Sequence, residues 1–190
     1  MNKLILVKHS LPEIEPGQNP HEWQLGEEGR KRSKALAGLL AAYAPQAIIS
    51  SLEPKAHQTA EIVARQLRLP IETLPGLEEH ARRQEPFEDK QCFQEKVAEL
   101  FAHPEERVYG EETAEEARGR FMRAAESALS AHPHQTIAII AHGTVISLFV
   151  ARIARIDPYP LWQRLGLPSF VVLSRPELAL LEVKEAAYEG

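Results

Sequence analysis

The sequence has little with which to cross-link itself, span a bilayer or grip a polyanion. Its single cysteine, Cys92, cannot form an internal disulfide, and a reducing cytoplasmic setting is the expected one. The N-terminal apolar run, over residues 4–7, is too short for the core of a secretory signal. No other stretch approaches the roughly 20 apolar residues of a membrane span. Acidic residues outnumber basic ones, 27 to 22, for a formal net charge of -5. No bulk positive field invites nucleic acid or an anionic membrane, so any anion site has to be built locally. Repeats, low-complexity tracts and obvious linkers are also missing. A chain of 190 residues can close a sizeable core, and one domain over residues 1–190 is expected.

What is present alternates between two periodicities. "KLILV" is a continuous apolar run of buried-strand type, and "EEGRKRSKALAGLLAAY" then sets Leu36, Leu39, Leu40 and Tyr43 on one helical face. "AIIS" reads as a second strand. "PKAHQTAEIVARQLRL" follows as a helix, with Ala56, Ala60, Val63 and Leu67 in register and Pro54 suited to the first turn. "IETL" is a weaker strand. Residues 75–110 are polar, with a helix expected around residues 93–101. In "TAEEARGRFMRAAESALSA" the pair Thr113 and Glu116 matches a capping box. "TIAIIA" and "GTVISLFVARIA" repeat the strand–helix pattern, and "FVVLSR" with "LALLEV" suggests a hairpin through Pro176. Strands without alternation, interleaved with helices, imply a three-layer α/β/α sandwich: a mainly parallel sheet covered by helices on both faces. Ligands of such sheets bind beyond the carboxyl ends of the strands.

Those ends carry the chemistry. "LILV" runs into Lys8-His9-Ser10, "IAIIA" into His142-Gly143-Thr144, and "AIIS" into Ser51 with Lys55 in the next helix. A lone histidine at a strand end is usually a satisfied polar group, and a lone lysine a solvated one. Two histidines, two lysines and several hydroxyls at three such ends make an anion pocket with a nucleophile candidate, aided by free N–H groups at helix starts. His132 and His134 flank a proline and show no metal-ligand spacing.

In order along residues 3–150, these segments resemble the histidine phosphatase superfamily, which includes the cofactor-dependent phosphoglycerate mutases. Lys8-His9-Ser10 occupies the place of the family's Arg-His-Gly, and "QLGEEGRKRSKALAGLL" that of its first helix, with Gly26 at the hydroxyl position. "AIISSLEPKAHQTAEIVARQL" matches a Ser…Arg-Ala…Thr-Ala pattern with Lys55-Ala56 for Arg-Ala. "PGLEEH" sets Glu79 on the family's acid, "YGEETAEEARGRF" resembles the Gly-Glu-Ser region, and "IIAHGTVI" the second histidine motif. The resemblance implies a phosphoglycerate mutase-like fold and a phosphohydrolase. His9 would be the nucleophile, Glu79 the proton donor, and His142, with Lys8, Ser10, Lys55, Gly143 and Thr144, would bind the phosphoryl group. Burial and the neighbouring Glu78 would raise the pKa of Glu79. It implies no metal or other cofactor and, as partner, a small phosphorylated metabolite. Arg82 and Arg83 are candidate substrate contacts, a surface basic pair being the plainer account. Residues 12–23 form a candidate lid whose Glu13, Glu15 and Glu22 disfavour highly anionic ligands.

The departures leave two readings. Lys8 and Lys55 stand where the family has arginine, and lysine offers a point charge in place of a planar fork. Ser10 adds a side chain where backbone would approach phosphate. One reading is a working phosphatase with an adapted pocket. The other is a catalytically weak member that binds phosphorylated ligands or acts as a regulatory or interaction protein. The oligomeric state is left open, a homodimer included.

Overall fold

The structure, a computed structural model, describes residues 1–85 and 88–188. Among them, six strands and six helices run in the order β1 (Lys3–Lys8), α1 (Glu27–Ala41), β2 (Ala47–Ser50), α2 (Pro54–Leu67), β3 (Ile71–Thr73), α3 (Lys90–Ala102), α4 (Ala114–Ala131), β4 (Ile137–Ala141), α5 (Gly143–Ala154), α6 (Pro158–Arg164), β5 (Ser169–Ser174) and β6 (Leu180–Lys184). The strands make one sheet in the order β3-β2-β4-β1-β5-β6. β3, β2, β4 and β1 are parallel to one another, whereas β5 and β6 add as an antiparallel hairpin on the β1 edge.

The apolar runs explain the layers. Leu4 to Val7 are all fully buried, and successive side chains go to opposite faces. Leu4 and Leu6 join Ile137, Ile139 and Ala141 under α3, α4, α5 and α6. Ile5 and Val7 join Ala138 and Ile140 against α1 and α2. A strand buried on both faces has no polar side to alternate with, which is why these runs are continuous. Each fully buried aliphatic side chain contributes on the order of 2 kcal/mol.

Local signals set several boundaries. Thr113 accepts from the Glu116 N–H at 3.0 Å while Glu116 accepts from the Thr113 N–H at 2.8 Å, the complete capping box at the start of α4. Helix α3 runs a turn earlier than its apolar pattern suggests, because Asp89 caps it by accepting from the Cys92 N–H. Helix α6 has no clear sequence signal. Pro158 and Pro160 look like breakers, yet both fall in the first turn, where no N–H partner is needed, and Asp157 caps it. No helix among the described residues is long and apolar enough to cross a membrane.

Candidate functional site

Strand register brings the two histidines together. Lys8 of β1 pairs with Ala141 of β4, so the next residue on each strand, His9 and His142, emerges at the same edge of the sheet. The His9 N–H continues the ladder to the Ala141 carbonyl at 3.0 Å. The rings meet edge to face with centroids 5.2 Å apart. On the other side of β4, the Ser51 N–H donates to the Ile140 carbonyl, which sets the Ser51 hydroxyl 2.9 Å from His142 Nε2.

His9 is held in a defined state. Its Nδ1 lies 2.7 Å from the Ser10 carbonyl, and since a carbonyl only accepts, Nδ1 carries the proton and Nε2 keeps a lone pair. Burial, then the nearby His142 and Lys55, push the pKa of His9 well below the ordinary imidazole value, outweighing the carbonyl. The ring is neutral at pH 7. Burial likewise takes His142 down to about 4, against the attraction of Glu53.

Glu79 lies in the loop beyond β3 and reaches the start of α5. Its Oε1 accepts from the His80 N–H at 2.9 Å and its Oε2 from the Thr144 N–H at 3.2 Å. Burial pushes this carboxyl up, but Arg82, His142 and the His80 N–H together bring it down to about 2. The expected rise is therefore reversed in this structure. Nor is Glu78 the carboxylate that opposes ionisation: it faces Arg120 and the Gly76 N–H, and the opposing charge is Glu53. Arg120 braces the loop by donating to the carbonyls of Gly76, Glu78 and Glu79 at 2.9 to 3.1 Å.

The two lysines reach the site with partners already in place. Lys8 Nζ donates to the Leu165 carbonyl at 2.7 Å, and burial, partly offset by Glu79, brings its pKa down to about 8. Its side chain crosses Gly143, where an added Cβ would stand 3.0 Å from Lys8 Cε. Lys55 Nζ donates to Glu53 Oε2 and to the Pro20 carbonyl, each at 2.6 Å. Ser10 turns away from the cluster. Its hydroxyl donates to the Gly29 carbonyl and its N–H to Thr59 Oγ1, so it anchors α1 to α2 and presents neither donor to the pocket.

Glu53 is the residue that sequence reading passes over. It stands at the N-cap position of α2 without capping the helix with its side chain, yet it is buried and ties four groups together. Oε1 accepts from the Glu79 N–H at 2.8 Å and lies 2.9 Å from His21 Nδ1, while Oε2 pairs with Lys55 and stands 3.7 Å from His142 Nδ1. Burial opposes its ionisation, but His142, His21 and Lys55 outweigh that and hold its pKa well below the carboxylate range. The only advance signal is its place two residues before Lys55.

The arginine pair divides. Arg82 lines a cavity beside Lys8, whereas Arg83 is exposed on the far side of the loop near Glu111. The loop over residues 12–23 does cover the site, through Pro20, His21 and Trp23. Its Glu13, Glu15 and Glu22 are exposed, and it is Ile14, Pro20 and Trp23 that line the cavity. Among the described residues, no group of three or more His, Cys, Asp or Glu is arranged to hold a metal ion.

The fold recurs in solved structures. "Mycobacterial hydrolase 2" superposes with a TM-score of 0.79 at 16% identity, over 100% of this chain and 92% of its own. The phosphoserine phosphatase of Entamoeba histolytica, solved with 3-phosphoglyceric acid, gives 0.78 at 15% identity over 97% of each chain. The alpha-ribazole phosphatase of Shigella flexneri gives 0.73 at 20% identity, over 99% and 98%. No curated protein matches by sequence. The sequence pattern of the histidine phosphatase superfamily (branch 1), however, matches residues 4–176. Covering nearly the whole sheet and the histidine cluster at its edge, that match makes the chain a member of the histidine phosphatase superfamily.

Proposed function

We propose that the chain is a phosphohydrolase acting on small phosphomonoesters through a phosphohistidine at His9, without a metal ion. The observation that carries this reading is the 2.7 Å contact between His9 Nδ1 and the Ser10 carbonyl, which leaves a neutral ring with Nε2 as nucleophile. Nε2 attacks phosphorus, the P–O ester bond breaks, and the alcohol leaves with a proton. His142, Lys8 and Lys55 stabilise charge on the transferring group. Glu79 is ionised at rest. A phosphoryl group entering beside it raises its proton affinity, so it takes a proton from a monoanionic substrate, or from solvent when the substrate is a dianion, and delivers it to the ester oxygen. Glu79 then accepts a proton from water as the water oxygen bonds to phosphorus. The N–P bond breaks, and inorganic phosphate leaves with His9 restored. The phosphatases among the structural relatives support the class of reaction and leave the substrate open.

A second reading, a phospho-ligand binder with slow turnover, draws on the same site. Both lysine ammonium groups are hydrogen-bonded within the protein, and the Glu53 carboxylate sits among the groups that would receive a phosphate. One experiment decides between them. Wild type and His9→Ala are assayed on p-nitrophenyl phosphate with and without a chelator, and rapid alkaline quench with labelled substrate traps any acid-labile phosphoenzyme. Chelator-insensitive turnover and labelling that both vanish in His9→Ala are expected. Equal rates in the two proteins would overturn the hydrolase reading, and vanadate binding without turnover would favour the binder.

A further inference from the structure

A cavity of about 410 Å³ opens beside the histidine cluster, within the range of small-molecule sites. Its walls come from four separate parts of the chain: Trp23 from the loop after β1, Phe93 from α3, Tyr109 from the loop before α4, and Trp162 from α6. Phe93 meets Trp162 edge to face at 5.7 Å and Tyr109 at 6.4 Å. Lys8 and Arg82 are shared between this cavity and the site. Lys8 adjoins His9 in sequence and crosses Gly143, and the Arg82 charge acts on Glu79 while its guanidinium lies 4.8 Å from the Phe93 ring centre. The cavity thus begins where the phosphoryl pocket ends. Four aromatic walls, offered to the space at the mouth of a reaction centre, suit a flat π-system better than a flexible polyol. With Lys8, Arg82 and Lys90 on the lining and Glu88 paired 2.6 Å from Lys96, the rim favours a neutral or anionic group over a cationic one.

We propose that this cavity is the leaving-group subsite and selects phosphomonoesters whose alcohol carries an uncharged or anionic aromatic ring. The inference rests on the phosphohydrolase reading for its use in turnover, but not for binding.

The test compares benzyl phosphate with cyclohexylmethyl phosphate and glycerol phosphate, primary alkyl esters that differ chiefly in the group the cavity would receive. Wild type is expected to give kcat/KM at least ten-fold higher for the benzyl ester than for either other ester. Trp162→Leu and Phe93→Leu, which keep apolar volume but remove a ring, are each expected to collapse that preference at least five-fold. Equal values for benzyl and cyclohexylmethyl esters would overturn the aromatic assignment, and a preference for glycerol phosphate would overturn the subsite. If no ester is hydrolysed, the hydrolase reading has failed and calorimetric titration decides the inference separately. Benzylphosphonate binding ten-fold tighter than methylphosphonate upholds the subsite; equal affinity overturns it.

Discussion

Glu53 and Lys55, two residues apart at the start of α2, form an ion pair of 2.6 Å in which each side chain is less than one-tenth exposed. The pair is the junction between the covering loop, the Glu79 loop and His142, because Lys55 also holds the Pro20 carbonyl and Glu53 also holds the Glu79 N–H. A lysine so placed is charged and aimed, but it is not idle: a phosphoryl oxygen has to compete with a carboxylate for it.

Removing one member of a buried pair strands the other. Glu53→Ala leaves His21 and the Glu79 N–H without their acceptor and Lys55 with only the Pro20 carbonyl and no counter-charge, and a loss of about 3 kcal/mol or more is expected. For a chain of this length that lowers Tm by roughly 10 °C. Glu53→Gln, which can still accept hydrogen bonds, loses less. Scanning calorimetry checks both, and a Glu53→Ala Tm within ~2 °C of wild type would show that the pair does not support the fold.

Stability is expected to fall steadily with acid. Glu79 sits at about 2 in the fold against 4.5 in the free state, and His142 at about 4 against 6.5. Both folded values are depressed, so the unfolded chain binds protons first. The stability is fully present above the unfolded pKa and is lost as pH drops toward the folded one. His142 acts between pH 6.5 and 4 and Glu79 between 4.5 and 2, while His9, also held well below the ordinary imidazole value by burial, adds a loss in the same direction. Each shift of 2.5 is worth on the order of 3 kcal/mol. Urea midpoints measured from pH 7 to pH 3 should decline throughout; a flat stretch between 6.5 and 4 would contradict the buried neutral histidines.

Arg120 touches no candidate reacting group, yet it spans the carbonyls of Gly76, Glu78 and Glu79 in the Glu79 loop and pairs with Glu112. Lysine cannot reproduce that fork. Arg120→Lys is expected to lower kcat on p-nitrophenyl phosphate by about ten-fold with KM nearly unchanged, since misplacing an acid affects transfer more than docking. A rise in KM alone would place Arg120 in binding instead.

Two glycines of α1 have opposite expectations. A Cβ on Gly29 would stand 2.0 Å from the Leu11 carbonyl oxygen, where the backbone after His9 presses on the helix. Gly29→Ala forces those segments apart and should cost about 3 kcal/mol, with loss of activity as the Ser10 anchor shifts. Gly38 has nothing within 4 Å of an added Cβ, and Gly38→Ala should raise stability by about 0.5–1 kcal/mol through helix propensity. Denaturant unfolding of both variants reads the difference in sign.

Much of this molecule is readable from local pattern. The continuous apolar runs of β1 and β4, the Thr113–Glu116 box and the three strand ends bearing His9, Ser51 and His142 all follow from spacing and residue type. The roles of single polar residues do not follow in the same way. Ser10 lies beside His9 in sequence but spends its hydroxyl on Gly29, and Glu78 lies beside Glu79 but belongs to Arg120. Adjacent residues on an extended chain point in opposite directions, so neighbours in sequence are often strangers in the fold.

The sequence alone determined that β1, β2 and β4 would be buried on both faces, and hence that the residues following them would meet at one edge. Hydrophobic periodicity is a property of consecutive residues, and a parallel sheet converts it directly into convergence of strand ends. Only the tertiary structure decided what those residues face: Glu53 among the cations, Glu79 ionised at the start of α5, and four aromatic rings from distant segments around one cavity. Charge state and cavity shape depend on what surrounds a group from every side, and most of those surroundings are far away along the chain.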